Sequence, residues 1–190
     1  MSNFPISVGR ERTIKAVEHA LEDDKLLAIF TQKDAELEIP THDDLYEYGV
    51  LVRVVKTRKM PHNKRSVVLQ GLSRVKMLEA TDADGYLNAK IEIFEEDEFE
   101  RQSLEQKRLH LQELAQKVFD LSPQIPSDAS FLIRSTANNA NKLSDIVALQ
   151  VAFSTKEKQE LLSMVNVEER VDKLIGFLGK ELQVLELSTK

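Results

Sequence analysis

The sequence predicts an α+β protein with two lobes. A β-rich lobe over residues 1–100, built as a small antiparallel barrel or two packed sheets with one helix, precedes an α-helical bundle over 101–190 that ends in a long helix. Three observations point this way. Four of the six glycines (Gly9, Gly49, Gly71, Gly85) fall within the first 85 residues, among β-branched runs. After Phe99 the chain turns into long amphipathic stretches broken at Pro123 and Pro126, residues that stop helices. Charge divides at the same place: residues 1–100 carry 14 basic and 20 acidic side chains, and residues 101–190 carry 12 of each.

In the first lobe, Arg10–Asp23 reads as a helix with Ile14, Val17 and Leu21 on one stripe, closed by Glu22-Asp23-Asp24. Leu26–Thr31 is a short apolar run of buried-strand type. Pro40-Thr41-His42-Asp43-Asp44 is turn chemistry. Tyr48–Lys59 has the β-branched density of a strand. Met60–Lys64, with Pro61 and Asn63, reads as the loop of a hairpin that continues into Ser66–Gln70. Arg74–Ala80 and Tyr86–Phe94 form a further strand pair around Asp82-Ala83-Asp84-Gly85.

The second lobe carries stronger local signals. Gln102–Asp120 places Leu104, Leu111, Leu114 and Val118 on one face. Ser127–Arg134 and Asn141–Phe153 are shorter helices. Ser154-Thr155-Lys156-Glu157 is a capping box, in which hydroxyl and carboxylate each satisfy an otherwise unpaired amide. Asn166 opens the last helix in the same way. That helix sets Val167, Val171, Leu174, Leu178, Leu182 and Leu185 at steps of three and four residues, a bundle-facing stripe. Its Gly176 and Gly179 each cost a helix roughly 1 kcal/mol relative to Ala, which predicts a close neighbour at both.

Composition narrows the function classes. With 42% hydrophobic and 31% charged residues over 190 positions, the chain can pack a core and stay hydrated. No apolar run approaches the ~20 residues of a membrane span, and no secretory or transit pattern opens the chain. Cysteine is absent, so disulfides, thiolate catalysis and cysteine-bound zinc are excluded. A net charge of −6 argues against general nucleic-acid binding, which draws its affinity from Lys and Arg.

The search for chemistry yields little. No glycine loop ends in Gly-Lys-Ser/Thr to wrap phosphates. Gly71-Leu72-Ser73 begins a nucleophile elbow but lacks its second glycine. His19, His42, His62 and His110 have no metal-binding spacing and read as surface residues. Glu95-Glu96-Asp97-Glu98 reads as a solvated linker rather than an acid–base pair. Arg53, Lys56, Arg58, Lys59, Lys64 and Arg65 form an acid-free basic segment without interleaved aromatics, which reads as a solubilising hairpin tip. No catalytic, cofactor-binding or metal-binding residue is expected.

Seven short segments, in order, resemble the N-terminal region of the Lon family of ATP-dependent proteases. They are Pro5-Ile6-Ser7-Val8-Gly9-Arg10-Glu11-Arg12, Asp43-Asp44-Leu45-Tyr46-Glu47-Tyr48-Gly49-Val50, the Gly71-Leu72-Ser73-Arg74-Val75 turn and Leu143-Ser144-Asp145-Ile146-Val147-Ala148. Lys158-Gln159-Glu160-Leu161-Leu162, Val167-Glu168-Glu169-Arg170-Val171 and Lys180-Glu181-Leu182-Gln183-Val184-Leu185 follow. The resemblance implies a PUA-like β lobe and a helical bundle that recruit misfolded, damaged and short-lived regulatory proteins for a cytoplasmic, bacterial-type homohexameric protease. That parent's AAA+ ATPase domain, with its ATP and Mg, and its Ser-Lys protease domain would follow this region, so the chain itself would be non-catalytic. The resemblance also implies a missing opening strand, with Met1-Ser2-Asn3 foreign to the native sequence.

Unfolded chains would dock by strand addition to a sheet edge or in an apolar groove. Arg10, Glu11 and Arg12, which open the first helix, and Leu185, at the far end of the last, are the expected substrate or subunit contacts. The chain alone would be a weakly self-associating monomer. The alternative is a free-standing PUA-like module that contacts nucleic acid or a protein through hairpin 53–65.

Overall fold

The computed structural model describes residues 3–96 and 101–189, and the chain divides into two units, Met1–Glu95 and Glu96–Lys190. The first holds β1 (Asn3–Val8), α1 (Glu11–Glu22), β2 (Leu26–Ile29), a 3₁₀ turn at His42–Asp44, β3 (Tyr48–Met60), β4 (Lys64–Thr81) and β5 (Asn88–Phe94). The strands make one antiparallel sheet of five, in the order β1-β4-β3-β2, with β5 also on β4. β4 is the spine. β3 pairs along one side of it, while β1 takes Arg65–Gln70 and β5 takes Arg74–Thr81 on the other.

The sequence suggests two strands, Ser66–Gln70 and Arg74–Ala80, joined by a turn at Gly71. The structure corrects this to a single bent strand. Gly71 takes an ordinary negative φ, and a Cβ added there would meet nothing within 4 Å, so nothing forces a reversal. Instead the ladder skips Leu72: Gly71 faces Val52, and Ser73 faces Leu51. Such a bulge bends the strand and exchanges its faces. Val67 and Leu69 therefore join the core against α1, whereas Val75 stands opposite Gly49 on the other face. The segment that opens the resemblance, Pro5–Val8, lies in β1, an edge strand that pairs with β4 from Asn3 to Val8.

Helix α1 packs Val17 and Ala20 against Val8, Val52, Val54, Val67 and Leu69. It stops at Asp23, where Lys25 adopts a left-handed φ of 65° and donates its amide to the Ala20 carbonyl at 2.7 Å. Gly49 is required for a different reason. A Cβ there would lie 2.2 Å from the Ile29 carbonyl and 2.6 Å from the Phe30 ring, where β2 crosses β3.

The second unit contains α2 (Gln102–Leu121), α3 (Ala129–Ser135), α4 (Ala140–Gln150), α5 (Thr155–Ser163) and α6 (Val167–Ser188). Leu104, Leu111, Ala115 and Val118 of α2 share a core with Ile133, Leu143, Val147, Val171, Leu174 and Leu178. Each buried leucine contributes about 1.5–3 kcal/mol relative to exposure. The expected caps are present: Ser154 and Glu157 exchange hydrogen bonds at 3.1 and 3.0 Å, and Asn166 Oδ1 accepts from the Glu169 amide at 3.1 Å. Helix α4 ends at Gln150 rather than Phe153, because Val151 turns extended to bring Ser154 into its capping position. Gly176 and Gly179 meet no close neighbour, so close helix packing does not account for them.

Two arginines are buried in this unit. Arg170, 2% exposed, donates to the carbonyls of Met164 and Val165, to Asn141 Oδ1 and to Ser144 Oγ. Arg108 of α2 donates to the Ala137 carbonyl. All four histidines are exposed, as are Glu95 and Glu96; Asp97 and Glu98 lie outside the described residues.

Candidate functional site

A concavity of the first unit has a volume of about 640 Å³ and is bounded by α1, the 30–45 loop, β2 and β5. Pockets for small molecules and side chains typically span roughly 300–1,000 Å³. Ala16, Val17 and Ala20 line it from α1, Leu51 and Met77 from the sheet, and Ile91 and Ile93 from β5. Two runs of consecutive residues also line it, Leu26–Phe30 and Tyr86–Ala89. Successive strand residues point to opposite faces, so an unbroken run presents a strand's edge and its backbone as well as side chains. Among the described residues β2 pairs only with β3, and β5 only with β4. The cavity is thus an apolar hollow flanked by two unpaired strand edges. Ile93 is 51% exposed at its mouth, and Leu37 and Ile39 are exposed on the loop beside it.

The loop is tied down by a polar cluster. Arg10 donates to Gln32 Oε1 at 2.5 Å and to the Ala35 carbonyl at 3.0 Å. Gln32 Nε2 in turn donates to the carbonyls of Asp34 and Leu37, both at 3.0 Å. Further along, Asp44 Oδ2 accepts from the Thr41 amide at 2.8 Å and from its hydroxyl at 2.9 Å. These bonds from Thr41, backbone first, hold the Asp44 carboxyl below its usual range. On the opposite rim Arg12 pairs with Asp82 at 2.6 Å, and His19 meets Tyr86 with ring centroids 5.5 Å apart. Loss of water around the Tyr86 phenol, aided by Asp84, raises its pKa. Gly85, at a φ of +80°, makes the turn that brings Asp82 and Tyr86 back toward α1.

The residues singled out in the sequence fall at three places. Arg10 and Arg12 sit at the cavity rim, but both spend their guanidinium groups inside the fold, on the loop and on the β4–β5 turn. Glu11 is exposed and pairs with Lys15 one turn on, at 3.3 Å. Leu185 is not an open apolar surface: it packs against the bundle core, and the exposed apolar residues at that end of α6 are Val184 and Leu187. Gln32, Tyr86, Ile91 and Ile93 belong to the cavity and were not singled out. Only the Ile91–Ile93 alternation could have signalled a role, since the meaning of Gln32 depends on a residue 22 positions away. Among the described residues no group of three or more His, Asp or Glu could hold a metal ion, and no helix is long and apolar enough to cross a membrane.

Comparison with known proteins bears on both units. The profile of the family described as the ATP-dependent protease La (LON) substrate-binding domain matches residues 3–180. The Lon protease of Anaeromyxobacter dehalogenans is 35% identical over 98% of this chain, and that of Dictyoglomus thermophilum is 34% identical over the same share. The chain spans only 22% and 23% of the length of those two relatives. Among solved structures, the N-terminal domain of a Mycobacterium avium complex Lon protease aligns with a TM-score of 0.70 at 16% identity, covering 94% of this chain and 90% of the other. A Lon N-terminal domain protein from Xanthomonas campestris gives 0.60 at 15% identity over 92% and 89%.

Proposed function

The chain belongs to the LON substrate-binding domain family, and from that premise we propose that it selects unfolded protein segments for an ATP-dependent serine protease. In this reading an extended segment adds to the free edge of β5 through its backbone and seats alternate apolar side chains in the cavity beneath α1. The observation that carries the reading is the joining of an apolar hollow to two unpaired strand edges in one place. An unfolded chain offers the two complements, unpaired backbone groups and apolar side chains, and a folded protein conceals both.

The chain acts here as a non-catalytic recruiting and assembly-supporting element of a homohexameric, cytoplasmic protease. Nucleotide, magnesium and the Ser-Lys dyad are assigned to domains beyond it. The profile match across both units supports this over a free-standing β module that binds through the basic hairpin.

The test is binding of unfolded model polypeptides to the purified chain. Ala16→Trp, which fills the cavity from α1, and Ile93→Lys, which charges its exposed mouth, should each weaken binding by about tenfold or more. A peptide N-methylated at alternate amides should bind worse than its parent, because it cannot complete a ladder. Equal binding by both variants and by the methylated peptide would refute the site.

A further inference from the structure

A second surface of the β lobe lies on the sheet face turned away from α1. The register of β1, β4 and β3 sets out its rows: Asn3, Gln70 and Arg53; Pro5, Val68 and Lys56; Ser7, Ser66 and Arg58; then Lys64 beside Met60. Four cations share these rows, and no acidic residue or aromatic ring does. All four are exposed, and none forms an ion pair among the described residues.

The grouping depends on one irregularity. Val54 pairs with Leu69 and Lys56 with Val68, so the ladder skips Val55. Without that bulge Lys56 and Arg58 would share the inward face of Val52 and Val54 and meet the core. With it they join Arg53 outside, and Val55 itself stands 51% exposed among them. Arg65 and Lys59 fall on the other face, where Arg65 pairs with Glu18.

We propose that this face is a docking site for acidic, extended polypeptide segments, a second subsite that rests on the substrate-binding reading above. Side chains two apart on an extended chain are about 6.7 Å apart, the spacing of successive rows on the sheet. Glutamates or aspartates at alternate positions therefore fall in step with Arg53, Lys56 and Arg58. The protein carries a net charge of −6, so an acidic chain is repelled elsewhere and steered to this face. Nucleic acid fits less well. Four cations meet few phosphates where tight binders use about 6–10, and no ring is present to stack bases.

The experiment is fluorescence anisotropy with a labelled peptide of alternating glutamate and serine, a lysine–serine peptide, a single-stranded oligonucleotide of matched charge, and an uncharged apolar unfolded peptide. The proposal expects the glutamate peptide to bind best among the charged probes and to weaken as salt rises. Lys56→Glu should cost at least about tenfold in that binding, while Lys59→Glu, the same charge change on the opposite face, should cost under about threefold. Tighter binding of the oligonucleotide, or equal losses from the two variants, overturns the proposal. Absent glutamate-peptide binding with intact apolar-peptide binding overturns it and leaves the cavity reading standing; loss of apolar-peptide binding alone strikes the cavity reading instead.

Discussion

Arg170→Met tests the most consequential buried polar group of the helical unit. Methionine keeps the unbranched stem, so little volume is lost and the change is mainly one of hydrogen bonding. Arg170 supplies donors to the Met164 carbonyl at 3.0 Å, Asn141 Oδ1 at 3.1 Å and the Val165 carbonyl at 3.2 Å. The Ser144 contact, at 3.4 Å, is the weakest, and Ser144 retains its own bond to the Asn141 carbonyl at 2.8 Å. A stranded buried acceptor costs about 1–3 kcal/mol. The two carbonyls lie near the surface and can regain water, which places them at the low end, while Asn141 is buried. The sum is about 3–5 kcal/mol, in line with breaking one side of a buried charged network. For a unit of this size each kcal/mol moves Tm by about 4–8 °C, so a fall of at least about 12 °C is expected. Circular dichroism at the helix band follows the melt, and hydrogen exchange locates it: α4 and α6 should lose protection while β3 and β4 keep theirs. A Tm within about 3 °C of the parent, with α4 and α6 still protected, would show that the network does not hold the bundle.

Gly49→Ala should destabilise the β lobe by more than about 3 kcal/mol, because its Cβ would meet backbone rather than a mobile side chain; a chemical denaturation midpoint equal to the parent's would refute the close approach. Lys107 bridges Glu168 at 3.0 Å and Asp172 at 2.9 Å, which raises the lysine pKa, through Asp172 first, and lowers that of Glu168, through Lys107 first. Stability from a lowered carboxylate is present above its unfolded pKa of about 4.3 and lost as pH falls through the folded value; that from a raised lysine is present below about 10.4 and lost as pH rises through the folded value. Lys107→Met should therefore flatten the stability profile of the helical unit at both ends, and an unchanged profile would remove the triad from the account. In sedimentation at micromolar concentration the chain is expected to be a monomer with weak self-association, reduced by Val184→Glu with Leu187→Glu; a discrete hexamer would show that this region assembles alone.

Sequence by itself determined the caps and the core stripe of the helical unit. Caps at Ser154 and Asn166 are satisfied within three residues, and the Val171–Leu174–Leu178 stripe needs only the helical period, so local chemistry decides both. It also placed α1 and the Met60–Lys64 hairpin, whose signals are as short in range. Tertiary structure decided what depends on distant partners. The bulges at Val55 and Leu72 are absent from any local pattern, because a skipped residue exists only relative to the opposing strand; yet they choose which side chains meet the core and which gather as a basic face. Nothing local to Arg170 announces its burial; α4 and the α5–α6 connection, distant in sequence or outside its own helix, close over it. The cavity draws residues from α1, the 30–45 loop and β5, segments brought together only by a sheet register that the Leu72 bulge sets and the close approach at Gly49 permits, and no stretch of sequence announces a hollow formed between its distant parts.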